Sequence, residues 1–304
     1  MSFELTILGN SSSTPTSRRH PSAQVLKINN DFILIDCGEG TQNQMLRYKI
    51  SHNKIRYIFI SHMHGDHFLG LPGLLCTMSV QGRIDDLDIY CPEELEFLIN
   101  LQFSLSDVQL KFKVIYHKLQ FDGVNEVLET RDFRVTSVPL KHRINCAGFL
   151  FVERVYGRKI NKQEADPLNL TQPEFENLRN GGDYKGRDGK IIPNAKLTFD
   201  PRKSFRYAYI TDTIYDEELI PHLERFDLLY HEATFAHDMV DRAKTTFHST
   251  ALQAGKLASR AKVMKLIIGH FSARYQNLDE LLEETKDVFP RAEIAEEGKT
   301  FKLR

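Results

Sequence analysis

The stretch Ser61-His62-Met63-His64-Gly65-Asp66-His67 constrains this chain more than any other. Before it runs Ile55-Arg56-Tyr57-Ile58-Phe59-Ile60, whose β-branched and aromatic residues predict a buried strand. After it, Phe68-Leu69-Gly70-Leu71-Pro72-Gly73-Leu74-Leu75 predicts a tight turn feeding a helix. The cluster therefore sits in the loop at a strand's carboxyl edge, where α/β sheets carry ligand-bearing loops. Imidazole nitrogen and carboxylate oxygen are the donors that zinc and similar divalent ions accept. His62 and His64 alternate, so an extended backbone points both to one side. Gly65 then lets the chain turn and present Asp66 and His67 as a second pair. Donors this close in sequence crowd a single ion but suit two adjacent ones. A polar loop that merely contained histidines would lack this strand-and-turn context.

The chain has 304 residues, enough for one large domain or two small ones, and 41% hydrophobic residues suit a globular core. No apolar run is long enough to cross a membrane. The start, Met1-Ser2-Phe3-Glu4-Leu5, has neither the basic nor the apolar region of a secretory signal. Cys37, Cys76, Cys91 and Cys146 are scattered, so reduced thiols and a cytoplasmic location are expected. A net charge of −1 gives no bulk attraction for nucleic acid, so any RNA contact must come from local basic patches.

Along the chain, Phe3 to Gly9 predicts a first strand, and Val25–Ile28 with Phe32–Asp36 a hairpin. The polar loop from Asn10 to Ser22 holds Arg18, Arg19 and His20, candidate phosphate contacts. Further strands are expected at Leu87–Tyr90, Val114–His117, Phe133–Val138, Arg206–Thr213 with its end at Asp212, Asp227–Phe235 and Lys265–Ser272, with a closing strand from Ala292 to Phe301 in which Glu296-Glu297-Gly298 is a turn. Helices are expected at Glu93–Leu101, Ala251–Ala261 and Leu278–Val288. His142 follows one of the apolar strands, a place where a lone histidine is most often structural. His248 precedes a helix that Ser249 or Thr250 could cap. Residues 155–204 break the pattern, being rich in Lys, Arg, Asn, Gly and Pro with little apolar periodicity. So long an irregular insertion is uncommon in a compact domain unless it serves function.

His62-Met63-His64-Gly65-Asp66-His67 resembles the HxHxDH signature of the metallo-β-lactamase superfamily. Its extension through Gly73-Leu74, with His231-Glu232-Ala233-Thr234 and Phe247-His248-Ser249-Thr250, resembles the ribonuclease Z family more narrowly. The resemblance implies an α/β fold, the metallo-β-lactamase αββα sandwich, over residues 1–304, with an arm inserted at 155–203 that grips tRNA. It implies two Zn2+ per subunit: one among His62, His64, His142 and Asp212, the other among Asp66, His67, Asp212 and His270. Asp212 would bridge the ions, and Asp36 would brace the metal loops from behind. Asp66 would also act as the base, His248 would stabilise or protonate the departing 3′ oxygen, and Glu232 would orient His248. The implied activity removes the 3′ trailer of precursor tRNA after the discriminator nucleotide, in a homodimer. The family's Gly-Pro motif at the arm is absent, and Thr171-Gln172-Pro173-Glu174 stands in its place. Arg154, Arg158, Lys159, Lys162, Arg179, Lys185, Arg187 and Lys190 are the arm's candidate phosphate contacts. The rivals are another dinuclear hydrolase of this fold, acting on small phosphodiesters or thioesters, and a catalytically silent RNA-binding scaffold.

Overall fold

The computed structural model describes residues 2–303. By internal contacts the chain divides into two units, Met1–Val152 with Phe205–Arg304, and Glu153–Ser204. The larger unit is built on strands β1 (Phe3–Gly9), β2 (Ala23–Ile28), β3 (Asp31–Cys37), β4 (Ile55–Phe59), β5 (Leu87–Cys91), β6 (Val114–Lys118) and β7 (Asn125–Glu129). They continue as β8 (Phe133–Leu140), β9 (Cys146–Glu153), β10 (Arg206–Ile210), β11 (Leu228–Glu232), β12 (Leu266–Gly269), β13 (Ala292–Ile294) and β14 (Thr300–Lys302). Two seven-stranded sheets result, ordered β14-β1-β2-β3-β4-β5-β6 and β13-β12-β11-β10-β9-β8-β7.

Strands β3 to β6 pair in parallel, as do β10 to β13. Parallel pairing aligns the carboxyl ends of neighbouring strands, and both sheets deliver their chemistry there. Asp36 ends β3 and the histidine loop follows β4, while Asp212, Glu232 and His270 stand at or just beyond the ends of β10, β11 and β12. Strands buried on both faces lack the alternation of apolar and polar residues, and β11, Leu228-Leu229-Tyr230-His231-Glu232, is buried throughout, its two polar residues at the carboxyl end.

Three apolar layers hold this unit together. Between the sheets pack Phe3, Phe59, Phe133, Phe149, Phe151, Tyr207, Tyr209 and Tyr230. The outer face of the first sheet packs on α1 (Thr41–Arg47), α2 (Gly65–Phe68), α3 (Leu71–Val80) and α4 (Glu93–Leu105) through Met45, Phe68, Leu74, Leu75 and Ile99. The second sheet is covered by α5 (Ala251–Arg260) and α6 (Asp279–Val288) through Leu257, Ala258 and Leu281. The order helix, sheet, sheet, helix is the αββα sandwich. Thr250 caps α5 with a reciprocal Thr250–Gln253 capping box, worth about 1 kcal/mol.

The structure corrects several sequence expectations. Strand β9 was not expected, although Ala147-Gly148-Phe149-Leu150-Phe151-Val152 is an apolar run. Strand β7 also lay outside the expectations, because it is a half-exposed, charged edge strand with little apolar signal. The expected turn at Glu296-Glu297-Gly298 is present, with Gly298 at φ 83°, but the segments on either side of it are separate strands, β13 and β14, one in each sheet. The strands expected to run to Thr213, Phe235 and Ser272 stop at Ile210, Glu232 and Gly269. Helix α4 runs one turn further than expected, to Leu105.

The unit Glu153–Ser204 is not an irregular loop. It has its own small core of Leu178, Tyr184 and Leu197. Residues 159–160 pair with 198–199, and 184–185 with 191–192. Thr171-Gln172-Pro173-Glu174 starts the helix Gln172–Arg179, with Thr171 and Glu174 forming a capping box and Pro173 in the first turn. Asn194 Nδ2 donates to the Leu178 and Gly182 carbonyls, tying the helix end to the hairpin. Arg158 is engaged by Asp200 at 2.6 Å and Thr198 at 2.7 Å, which makes it a strut as well as a cation.

Candidate metal centre

Asp36 organises the centre from behind. It sits in the left-handed region at φ 55°, turning its carboxylate under the histidine loop. Its Oδ1 accepts from the Ser61 amide at 2.8 Å, and its Oδ2 from the Ser61 hydroxyl at 2.9 Å. The same Oδ2 meets His67 Nδ1 at 2.7 Å and accepts from the Tyr209 hydroxyl at 2.6 Å. Tyr209 reaches across from the second sheet, so this carboxylate ties both sheets to the loop. The loop lies close to the β3–α1 turn, and a Cβ on Gly70 would collide with the Gly38 carbonyl.

The expected ligands converge in two adjoining groups. Ligand atoms of His62, His64, His142 and Asp212 all lie within 4.8 Å of one another, as do those of Asp66, His67 and His270. His64 Nδ1 is 3.0 Å from His62 Nε2 and 3.1 Å from His142 Nε2. In the other group His67 Nε2 is 3.3 Å from His270 Nε2. Asp212 straddles both: Oδ2 lies 3.6 Å from His62 and 3.7 Å from His142, while Oδ1 lies 3.1 Å from His270 and 3.4 Å from His67. Asp66 Oδ2 lies 3.5 Å from His67 and 3.4 Å from His270, and accepts from the Ser13 amide at 2.6 Å.

The outward ring nitrogens identify the tautomers. His142 Nδ1 meets the Phe247 carbonyl at 3.0 Å, and a carbonyl can only accept. His67 Nδ1 faces the Asp36 carboxylate, and His270 Nδ1 the Thr234 hydroxyl at 3.0 Å. Placing the proton on Nδ1 of His142 and His67 leaves their inward nitrogens as lone pairs. Each faces another ring nitrogen about 3 Å away, His64 Nδ1 or His270 Nε2, a spacing at which two imidazoles share either a proton or a metal ion. Phe247 adopts φ 61° and His270 φ 58°, left-handed backbone that bulky residues rarely take, at cost, except where the surroundings require it.

The electrostatics suit the same occupant. Burial, then neighbouring His67, lowers the His62 pKa well below the usual range. His64 is lowered by burial and His142, and His142 by burial against the pull of Asp212. Burial raises the pKa of Asp212, but His270, His67 and His62 outweigh it and keep the carboxyl ionised. Asp66 is likewise held ionised, His67 outweighing burial. For His67 burial favours the neutral ring, yet Asp66, Asp212 and Asp36 together raise its pKa well above normal. The carboxylates thus demand positive charge where the ring nitrogens meet, which a proton on His67 meets alone and a divalent ion would meet in its place. His62, His64 and His142 held neutral, with Asp66 and Asp212 held ionised, are in the states that bind metal, so these residues fit a pair of divalent ions.

Beside them, His248 Nδ1 lies 3.0 Å from Glu232 Oε1. Glu232 also accepts from the Thr213 amide at 2.7 Å and the Thr234 hydroxyl at 2.6 Å. Burial favours neutral His248, but the Glu232 carboxylate prevails and raises its pKa to about 9. His248, Asp66 and Asp212 open on a cleft of about 280 Å³ that Ser13, Glu39 and Arg143 also line, while Glu232 lies fully buried behind His248. Tyr209, Ser13 and Arg143 join the site without having been singled out from the sequence, whereas Ser61 and Thr234 lie within the histidine and His-Glu-Ala-Thr motifs.

A family model for the anti-Pycsar protein Apyc1 matches residues 3–163, which include the histidine loop but end before Asp212, Glu232, His248 and His270. A ribonuclease Z of Phocaeicola vulgatus is 42% identical over 295 residues, covering 97% of this chain and 96% of its own. The crystal structure of human tRNase Z, short form, superposes with a TM-score of 0.73 at 26% identity, over 99% of each chain. The metallo-β-lactamase fold protein YhfI of Bacillus subtilis, at 21% identity and a TM-score of 0.69, covers 99% of this chain and 100% of its own and speaks for the fold. Identity of 42% over 97% of its length shows that the chain belongs to the ribonuclease Z family.

Proposed function

We propose that this protein is a tRNA 3′ endonuclease that uses two zinc ions per subunit to cut precursor tRNA after the discriminator nucleotide. It is a phosphodiester hydrolase, and it leaves a 3′-hydroxyl on the tRNA and a 5′-phosphate on the trailer. The observation that carries the reading is Asp212 straddling two groups of ligands beside the charged His248–Glu232 pair. His62, His64, His142 and Asp212 would hold one ion, and Asp66, His67, Asp212 and His270 the other. Paired divalent ions supply Lewis-acid stabilisation of phosphoryl charge and acidify water. Asp66, ionised at the cleft, accepts the attacking water's proton. His248, protonated at neutral pH, gives its proton to the tRNA 3′ oxygen as the phosphorus–oxygen bond breaks. Glu232 occupies Nδ1, which leaves Nε2 for the substrate.

The unit Glu153–Ser204 is assigned to gripping the body of tRNA. Lys159, Lys162, Arg179, Lys185, Arg187 and Lys190 are exposed on this unit and are its proposed phosphate contacts. A homodimer in the cytoplasm completes the proposal. No helix among the described residues is long and apolar enough to cross a membrane.

Cleavage of one precursor tRNA beside a small phosphodiester tests this directly. The expected products are mature tRNA and a 5′-phosphorylated trailer, lost on chelation and restored by zinc. Equally poor turnover of both substrates would overturn the reading.

A further inference from the structure

Arg143 has no part in the chemistry above. It follows His142 directly, and His142 is pinned by the Phe247 and Leu140 carbonyls. Among the described residues it is the one arginine or lysine lining the metal cleft. Its neighbour Lys141 is held away by Asp216 at 3.0 Å and Glu218 at 2.7 Å. The Arg143 guanidinium, by contrast, has no ion pair or hydrogen bond among the described residues. A cation left unpaired beside a cleft that contains Glu39, Asp66 and Asp212 is free for an incoming anion.

Arg143 also lines a second depression of about 220 Å³, so it stands on the ridge between the two. That depression is walled by Phe121, Pro139, Leu140 and Ile144, with Asn145 as a polar member. Ile144 is exposed and Phe121 half-buried, but His142, Arg143 and Asn145 also line the depression, and the surface it offers is mostly polar. An arginine fork beside a largely polar depression that holds one half-buried aromatic ring suits the two parts of a nucleotide. The planar guanidinium takes phosphate oxygens, and the depression takes the attached sugar and base, Phe121 offering a ring face and Asn145 an amide.

Resting on the ribonuclease reading, we infer that Arg143 binds an RNA phosphate flanking the scissile one, and that the neighbouring depression takes its nucleotide. Arg143 is a substrate-binding residue, one contact beyond the reacting atoms. Phosphate contacts fix the register of a chain without reading its sequence, so this one sets which linkage reaches the metals.

The test is a cycle between Arg143→Gln and precursor tRNAs carrying one neutral methylphosphonate, 5′ or 3′ of the cleaved linkage. With native RNA the variant should raise KM about tenfold, the scale of one charge-assisted contact, and move kcat by less than about twofold. Arg143→Lys should fall between, because it keeps the charge and loses the fork. Bound metal, measured by elemental analysis, should equal that of the native protein, which separates loss of a phosphate contact from displacement of His142. At one of the two positions the neutral linkage should cost the native enzyme the same factor and cost Arg143→Gln nothing further. Independent, multiplying losses at both positions would overturn the inference while leaving the endonuclease reading intact. Failure of the native protein to cleave precursor tRNA at all would overturn both.

Discussion

Replacing Glu232 by glutamine keeps the shape of the buried acid and removes its charge. The native pair holds His248 at a pKa of about 9, against burial that works the other way. Without the carboxylate, burial and the remaining pull of Asp212 and Asp66 oppose each other, and the ring is expected near an ordinary histidine's value of about 6.5. At pH 7 the native ring is almost fully protonated, and the variant ring only about a quarter so, a fourfold deficit in the proton donor. By pH 8 the native ring remains about nine-tenths protonated and the variant about 3%, so the deficit grows to roughly 30-fold. Single-turnover cleavage of precursor tRNA across this range should show the variant's defect widening with pH, its alkaline limb displaced downward by about two units or more. A defect of constant size across the range would refute the assignment of His248 as the proton donor. The sign for stability follows from the same shift. A group whose pKa is raised on folding contributes stability that is complete below its unfolded value, and this is lost as pH rises through about 9.

Three further perturbations separate the parts of the account. Asp66→Ala should abolish cleavage by about 10³-fold or more while leaving tRNA affinity within about threefold, read by filter binding; full turnover would remove Asp66 from the chemistry. Joining Val152 to Phe205 by a short turn is feasible because Val152 and Arg206 are paired neighbours. That deletion should weaken tRNA binding far more than hydrolysis of a small phosphodiester, and equal losses would make the excised unit purely structural. Tyr209→Phe removes the hydroxyl that reaches Asp36 across the sandwich, and metal affinity measured by competitive chelation should fall about tenfold. Unchanged affinity would show that Ser61 and His67 alone fix Asp36.

How far the sequence could be read depended on how local each signal was. The histidine loop was legible because its donors and the strand and glycine around it lie within a dozen residues. Asp212, His231-Glu232, His248 and His270 were legible through short motifs, each at the end of an apolar strand or the start of a helix. Tyr209 was not, since an aromatic residue in a buried strand reads as core. Only the pairing of two sheets reveals that its hydroxyl meets a carboxylate from far earlier in the chain. Arg143 was hidden for the opposite reason, because an exposed arginine in a loop carries no pattern until the cavities on either side of it exist. The internal order of 155–204 escaped for want of length: its strands are two residues each, below the reach of any periodicity.

Anomalous diffraction at the zinc edge from crystals of zinc-loaded protein examines the centre most directly. Two peaks per chain should flank Asp212, one facing His62, His64 and His142, the other facing Asp66, His67 and His270. A single peak, or zinc bound away from Asp212, would contradict the two-metal centre on which the assigned chemistry stands.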